Sequence, residues 1–378
     1  MRIIHLSDLH LGKRVNGFSM ISDQRYILEQ ILDIIKSEEA DAVFIAGDIY
    51  DKAVPSLEAV QLFDDFVVKL SKLCLKVFIV SGNHDSPERM AFASRIISES
   101  GIYISSVYDG HVEKVTVNDE YGPLNVYLLP FIKPVHVRAY YSEENTDTYT
   151  DAVSTALKHT DIDENQRNVI IAHQFVTGAS RSDSEEKTVG GLDDVNACVF
   201  DIFDYAALGH IHGPQNIKSD NIRYSGTPLK YSFSEEKHKK SVTVVDMREK
   251  GNVSVRTAPL KPLRDMKTIK GRYMDIMSKK FYENISTDDY MRIILTDEED
   301  IPDAAARLRI VYKNLMLMEY DNTRTNNNKY ITGSVAENKA SPMELFSELY
   351  KRQNNKEMTD AQKDYLGSLI KKIWEEEL

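Results

Sequence analysis

Cysteine is almost missing from this chain: two residues in 378, Cys74 and Cys198, far apart and in no metal-ligand spacing. That excludes a disulfide framework or a thiolate zinc module, and we expect both to be small buried hydrophobes of a reducing cytoplasm. Basic charge is also short, with 47 Lys and Arg against 59 Asp and Glu and a net charge of -12. A broad basic face is thereby excluded, so any DNA must be held by local patches, bound cations or a partner chain. No apolar run is long enough to cross a bilayer. The opening MRIIHLSDLHLG sets an acid and two histidines in a short apolar stretch, which suits a strand and not a signal peptide, so the expected location is the cytoplasm. There is no Gly-x-x-x-x-Gly-Lys-Ser/Thr phosphate loop, so ATP, where it is needed, binds a partner. No internal repeat is visible.

What is there is patterned. Hydrophobic residues at 42% and charged residues at 28% are ordinary values that argue against disorder throughout. A chain of 378 residues exceeds one ordinary core, so two or three units are expected. Strands are predicted at residues 3–7, 42–46, 77–81, 125–129, 168–172 and 205–208. A helix is predicted over 25–36 with Ile27, Leu28, Ile31, Ile34 and Ile35 on one side. Another follows Pro55-Ser56, where the serine caps it and Leu57, Val60, Phe63, Val67 and Leu70 form the stripe. Gly101 is placed to end a third. Strands alternating with helices predict an α/β sandwich.

Residues 241–246 and 253–258 predict a hairpin that extends the sheet, and Pro259 and Pro262 mark a boundary near residue 263. Beyond it a strand at 290–295, a helix at 301–312 and a strand at 315–320 predict a small α+β unit spanning 264–330. A polar, Asn-rich stretch follows, with the linker set at 331–340 and two short helices within 341–378. Ser341-Pro342-Met343-Glu344 and Thr359-Asp360-Ala361-Gln362 both read as capping boxes. Behind them Leu345, Phe346, Leu349, Tyr350, Tyr365, Leu366, Leu369, Ile370, Ile373 and Trp374 form an apolar stripe that needs another surface to cover it.

Five fragments set metal-type ligands just past apolar runs: Asp8-Leu9-His10, Gly47-Asp48, Gly82-Asn83-His84-Asp85, His173, and Gly209-His210-Ile211-His212. Residues at the carboxyl ends of strands in an α/β sheet point into the crevice where such folds bind ligands. Each fragment alone is weak. A lone histidine is more often structural, an Asp after a strand often caps the next helix, and Gly-Asn is a common turn. Five of the ten histidines fall in these fragments, and their order is what carries the signal.

That ordered set resembles the calcineurin-like metallophosphoesterase superfamily over roughly residues 1–230. The resemblance implies an α/β sandwich with a small α+β capping domain and C-terminal helices, and a site for two divalent ions. One ion would be held by Asp8, His10, Asp48 and His212, the other by Asp48, Asn83, His173 and His210, with Asp48 bridging. His84, hydrogen-bonded to Asp85, would contact the substrate phosphate and protonate the leaving oxygen. Two divalent ions about 3.5–4 Å apart can lower the pKa of a water between them and aim it at phosphorus. An imidazole-rich donor set favours Mn, Fe or Zn over Mg, with Mn expected. Two divalent ions and two Asp leave a positive site that a bridging hydroxide and a singly charged phosphodiester bring close to neutral, which suits a diester substrate.

The likeness narrows through Ser86-Pro-Glu-Arg-Met-Ala-Phe-Ala-Ser94, His173-Gln-Phe-Val-Thr-Gly-Ala179, Ser182-Asp-Ser-Glu185, the Val-Gly-Gly run at 189–191, and Tyr224-Ser-Gly-Thr-Pro-Leu-Lys-Tyr-Ser-Phe-Ser-Glu235. These resemble the bacterial exonuclease subunits of the SbcD family. That implies a DNA exonuclease and endonuclease, a homodimer, and a heterotetramer with SbcC, an ABC-type ATPase with a long coiled coil, docked on the C-terminal helices. Archaeal and eukaryotic relatives often carry a histidine where this chain reads Ile49-Tyr50-Asp51-Lys52, so a second phosphate-contacting histidine is not expected. Basic candidates for DNA are few: Lys13, Arg14, Arg89, Arg181 and Lys187. The alternatives are a cyclic-nucleotide or small-molecule phosphodiesterase and, in another class, a non-catalytic scaffold for the ATPase. A protein serine/threonine phosphatase fits less well, because Lys52-Ala53 and Asp85 stand where that class has Arg-Gly and Glu.

Overall fold

The structure is a computed structural model that describes residues 1–92, 94–105, 107–185, 194–323, 341–354 and 357–376. Ala93, Lys187, the Val-Gly-Gly run at 189–191, the 331–340 linker and the side chains of Ile373 and Trp374 lie outside the described residues. Along the chain the strands are β1 (Arg2–Leu6), the short pair β2 (Arg14–Val15) and β3 (Phe18–Ser19), β4 (Ala42–Ala46), β5 (Lys76–Val80), β6 (Ile102–Ile104), β7 (Glu113–Asp119) and β8 (Gly122–Leu129). They continue as β9 (Arg167–His173), β10 (Tyr205–Gly209), β11 (Gln215–Ile217), β12 (Ser219–Tyr224), β13 (Ser241–Met247), β14 (Val253–Pro259), β15 (Met266–Gly271), β16 (Tyr290–Leu295) and β17 (Leu315–Tyr320).

Two six-stranded sheets, β14-β13-β1-β4-β5-β6 and β11-β12-β10-β9-β8-β7, stack face to face. The parallel strands are β1, β4, β5 and β6 in one and β8, β9, β10 and β12 in the other, with antiparallel strands added at one edge of the first sheet and at both edges of the second. Alternation along β4 shows why the strands read as unbroken apolar runs. Ala42, Phe44 and Ala46 face the second sheet with Phe78, Leu128 and Ile171, while Val43 and Ile45 face helices. Helix α1 (Ile21–Ser37) buries Ile27, Leu28, Ile31, Leu32 and Ile35 on that outer face. Each such side chain contributes roughly 1.5–3 kcal/mol. The helix at Tyr149–Lys158 covers the far side of the second sheet, so the sandwich has four layers.

Helix α2 (Leu57–Ser71) is capped as expected, Ser56 Oγ accepting the Ala59 N–H at 3.3 Å. Its buried face differs from the expected stripe: Ala59, Leu62, Phe63, Phe66 and Leu70 turn inward, while Leu57 is 71% and Val60 40% exposed. The helix is apolar on two sides, and contact with the core selects only one. Gly101, at φ +80°, ends the 3-10 turn Ser98–Ser100. Both cysteines are exposed free thiols and not the buried hydrophobes expected, Cys74 sitting in the turn that leaves α2 and Cys198 in a surface turn.

The hairpin β13–β14 extends the first sheet through antiparallel pairing of β13 with β1. A separate sheet, β15-β16-β17, is wholly parallel and has its own core of Tyr273, Ile276, Met291, Ile293, Leu295 and Leu308. It is tied to α1 by Asp23, a buried carboxylate that accepts from Arg264 Nη1 and from Tyr290 Oη, each at 2.7 Å. The closing helices, Pro342–Asn354 and Asp360–Glu376, each start with the expected box: Ser341 and Glu344 exchange bonds, as do Thr359 and Gln362. Leu345, Phe346, Leu349 and Tyr365 on them are 43–67% exposed. Among the described residues no helix is long and apolar enough to cross a membrane.

Candidate metal centre

The parallel strands bring the five fragments to one crest. β1 leads into Asp8 and His10, β4 into Asp48, β5 into Asn83, β9 ends on His173, and β10 leads into His210 and His212. Backbone bonds hold the first two loops together, Asp8 N–H donating to Gly47 O at 3.0 Å and His10 N–H to Asp48 O at 2.9 Å. Asp8, His10, Asp48 and His210 all have positive φ, from 44° to 107°, a conformation that non-glycine residues hold only where surroundings impose it. Neighbouring glycines make room. A Cβ on Gly209 would lie 1.7 Å from Ala46 O, and one on Gly82 2.1 Å from Asp48 Oδ1.

With the imidazoles neutral, the side chains bring lone pairs together. His173 Nδ1–H donates to Ala46 O at 2.8 Å, a carbonyl that can only accept, so in the neutral ring the lone pair is on Nε2. That Nε2 lies 3.1 Å from Asn83 Oδ1 and 3.3 Å from Asp48 Oδ2, and His210 Nδ1 lies 3.0 Å from the same Asn83 oxygen. On the other side His10 Nε2 lies 3.1 Å from His212 Nε2 and 3.7 Å from Asp48 Oδ2. Asp8, His10 and His212 form one group close enough to share an ion, and Asp8, Asp48 and His173 another. His10 Nδ1 and His210 Nε2 are buried with no hydrogen-bond partner among the described residues. Converging lone pairs in a dry site repel unless a cation sits between them, so these residues fit divalent metal.

Electrostatics point the same way. Burial pushes the His173 imidazole down, but Asp48 and Asp8 override it and hold it up at about 9. Burial likewise works to raise Asp48, and His173 and His10 outweigh it, keeping the carboxyl well below the usual range. Asp8 is pushed up to about 6 by burial, against the pull of His173 and His212. Without a metal this cluster stores its positive charge on imidazole.

His84 lies at the rim, in reach of His10 and Asp48. Its partnership with Asp85 is not what the geometry gives. Both Asp85 oxygens accept backbone amides, from Gly82 at 2.9 Å, Tyr50 at 3.0 Å and Ile49 at 3.1 Å. His84 Nδ1 instead stands 3.1 Å from Asp51 O, and the Asp51 carboxylate takes Lys13 Nζ at 2.6 Å. Asp85 therefore shapes the loop, because three amides converge on it; burial and the charge of Asp48 push it up to about 6. Of the basic candidates, Arg89 bonds Ala53 O at 2.9 Å, Arg14 bonds Gly17 O at 2.5 Å, and Arg181 stacks 3.4 Å over Phe175.

Supporting residues were not singled out by chemistry. Gln24 of α1 donates to His10 O at 2.7 Å and accepts from Gly12 N–H at 3.0 Å, and Tyr231 Oη donates to Leu9 O at 2.6 Å. Ser184, Glu185, Glu235 and Lys240 surround His212. Three of those four lie in the segments 182–185 and 224–235, so the motif likeness was their one signal in the sequence.

A family model described as calcineurin-like phosphoesterase matches residues 1–214. A second, described as type 5 capsule protein repressor C-terminal domain, matches residues 262–354. The SbcD subunit of nuclease SbcCD from Staphylococcus epidermidis is 31% identical over 384 residues, covering 100% of both chains. Two solved structures align less closely: TT1561 of Thermus thermophilus (12% identity, 69% of this chain, 99% of that one, TM-score 0.39) and a dimetal phosphatase from Danio rerio (11%, 70% and 98%, TM-score 0.40).

Proposed function

We propose, from the premise that this chain belongs to the calcineurin-like phosphoesterase family and within it to the SbcD nucleases, that it cleaves DNA as a duplex-end exonuclease and single-strand endonuclease. It is a metal-dependent phosphodiester hydrolase. The observation that carries the reading is the ring of seven donors, Asp8, His10, Asp48, Asn83, His173, His210 and His212, whose lone pairs converge around Asp48. The full-length relative supports it over a small-molecule phosphodiesterase and over a scaffold.

We assign the first ion to Asp8, His10, Asp48 and His212 and the second to Asp48, Asn83, His173 and His210; the four imidazoles argue against Mg, and Mn is the ion we propose. Two divalent ions supply an activated water and charge neutralisation at phosphorus. The chain does the rest. Asp48, ionised and buried, is shared by both donor sets. Donation from His84 Nδ1 to Asp51 O aims Nε2 toward Asp48 Oδ2, 3.9 Å away, so a protonated ring can hand its Nε2 proton to the leaving oxygen. The nearby Lys13–Asp51 pair steadies that loop.

Residues 1–263 are assigned to catalysis, 264–330 to selection of DNA ends and 341–378 to an SbcC-type ATPase, whose coiled coil covers the exposed Leu345, Phe346 and Leu349 by a helix-in-groove contact. Exposed Val54, Leu57, Phe92 and Ile96 support a homodimer formed on that side, and hence a heterotetramer with the ATPase. Elemental analysis together with cleavage of a single-stranded DNA circle and a blunt duplex tests the reading. Two Mn per chain and cleavage of both substrates are expected; a metal-loaded chain that hydrolyses only small chromogenic diesters overturns the DNA assignment.

A further inference from the structure

Two stretches that the catalytic reading leaves without a task, Ser182–Glu185 and the approach to Glu235, converge on one ring. Ser184 Oγ lies 2.7 Å from His212 Nδ1 and also bonds Glu235 Oε1, which is itself 3.5 Å from that nitrogen. Glu235 is wholly buried, and its other oxygen is paired with Lys240. Lys240 Nζ, buried too, donates to His212 O at 2.9 Å and to Thr227 Oγ1 at 2.6 Å. Glu185 Oε1 accepts the His212 N–H at 2.7 Å. The ring, amide and carbonyl of one histidine are thus each held by a different buried or half-buried polar group.

We infer that Ser184, Glu235 and Lys240 are positioning residues that lock His212 in its Nδ1–H tautomer, with the Nε2 lone pair aimed at the cation shared with Asp8 and His10. An ionised Glu235 can only accept, so the Ser184 hydroxyl gives it its one proton; the contact to His212 is then a hydrogen bond only with the proton on Nδ1, and the other Ser184 lone pair is left for Ser182 Oγ, 2.7 Å away. The proton order runs one way: imidazole to serine, serine to carboxylate. Lys240 neutralises the carboxylate without competing for Ser184, because it takes the other oxygen. A carboxylate bonded directly to a ligating histidine is a common support; here a hydroxyl is interposed, so the support stands on a loop that crosses from β9 toward β10. His10 differs, since its Nδ1 has no partner among the described residues. Of the two rings facing each other at 3.1 Å, His212 is held through its far nitrogen and His10 by ring packing against His84 and Tyr231.

This inference rests on the two-metal reading, and the test separates the two. Mn(II) affinity is measured by titration for the full chain and for Ser184→Ala, Ser184→Thr, Glu235→Gln and the double variant of Ser184→Ala with Glu235→Gln. Proton-detected nitrogen spectra of the metal-free chain report the His212 tautomer. Glu235→Gln is expected to weaken Mn(II) binding about 10–100-fold and to populate the Nε2–H form. Ser184→Ala should do the same to a smaller degree, because Glu235 is near enough to close part of the gap. Ser184→Thr should restore both readouts, and the double variant should lose little beyond Glu235→Gln alone. If Glu235→Gln does not fold, Ser184→Ala against Ser184→Thr decides the matter. An unchanged His212 tautomer in Ser184→Ala and Glu235→Gln overturns the inference, as does equal Mn(II) loss in the Thr and Ala variants. Failure of the unaltered chain to bind Mn(II) would instead sink the metal reading, and the tautomer spectra would still judge the lock.

Discussion

Asp48 is buried, ionised and within 3.3–3.9 Å of three imidazole nitrogens, from His173, His10 and His84. Under the proposed assignment, removing that carboxylate leaves both donor sets short of their common anion. Asp48→Ala should therefore lose metal at both positions and all hydrolysis; elemental analysis that still finds two ions per chain would contradict the assignment. His84 stands differently, at the rim and tied by Nδ1 to a backbone carbonyl. His84→Ala should keep both ions and DNA binding while turnover falls by about two or more orders of magnitude, the usual scale for losing a general acid. Near-normal turnover, or release of metal, would each refute its role. The seven ligand candidates were legible because each sits next to a strand end in a fixed order. Asp85 was misread because adjacency in sequence suggested a partnership with His84, whereas the loop turns the carboxylate back onto the amides of Gly82, Ile49 and Tyr50.

At the scale of elements, the central strands were readable since both faces are buried, and β4 matched residue for residue. Of the edge strands, β14 and β17 were readable and others were not. β15 reads MKTIKG, half-buried and broken by lysines, and β6 and β11 have three residues each, too few to show a period. The α2 stripe failed because a helix apolar on two sides does not declare which side meets the core. At the crest, where Gly209 passes Ala46, the two sheets approach backbone to backbone, which yields a sharp expectation at β10. A methyl on Gly209 would meet Ala46 O at 1.7 Å, and no rotamer can relieve a clash with backbone. Gly209→Ala should lower the melting temperature of the metal-free chain and weaken metal retention together, at a cost of about 1–3 kcal/mol for overpacking. Thermal scans that match the unaltered chain would show that the sheets can part there freely.

Over the whole molecule, stability and assembly draw on different surfaces. The C-terminal helices keep exposed Leu345, Phe346, Leu349 and Tyr365. An ion pair that joins them to the sandwich, Lys371 to Asp147 at 3.0 Å, lies at the surface, where such pairs contribute little. Truncation after residue 338 should leave a folded, metal-loaded chain with single-strand cleavage intact and without affinity for an SbcC-type ATPase. Co-purification of the truncated chain with that ATPase at undiminished affinity would overturn the assignment. The small sheet behaves otherwise, being fastened to α1 through buried Asp23. The next residue in that helix, Gln24, holds the loop of His10. Two consecutive codons thus answer to two parts of the molecule, the small sheet and the loop of His10. A lineage that remodels the surface carrying Arg264 and Tyr290 disturbs the seat of α1 and, with it, the loop that carries His10. Variation in the small sheet is therefore tolerable only where it leaves Asp23 unmoved, and its history should be one of change on the outer face and stasis at this seam.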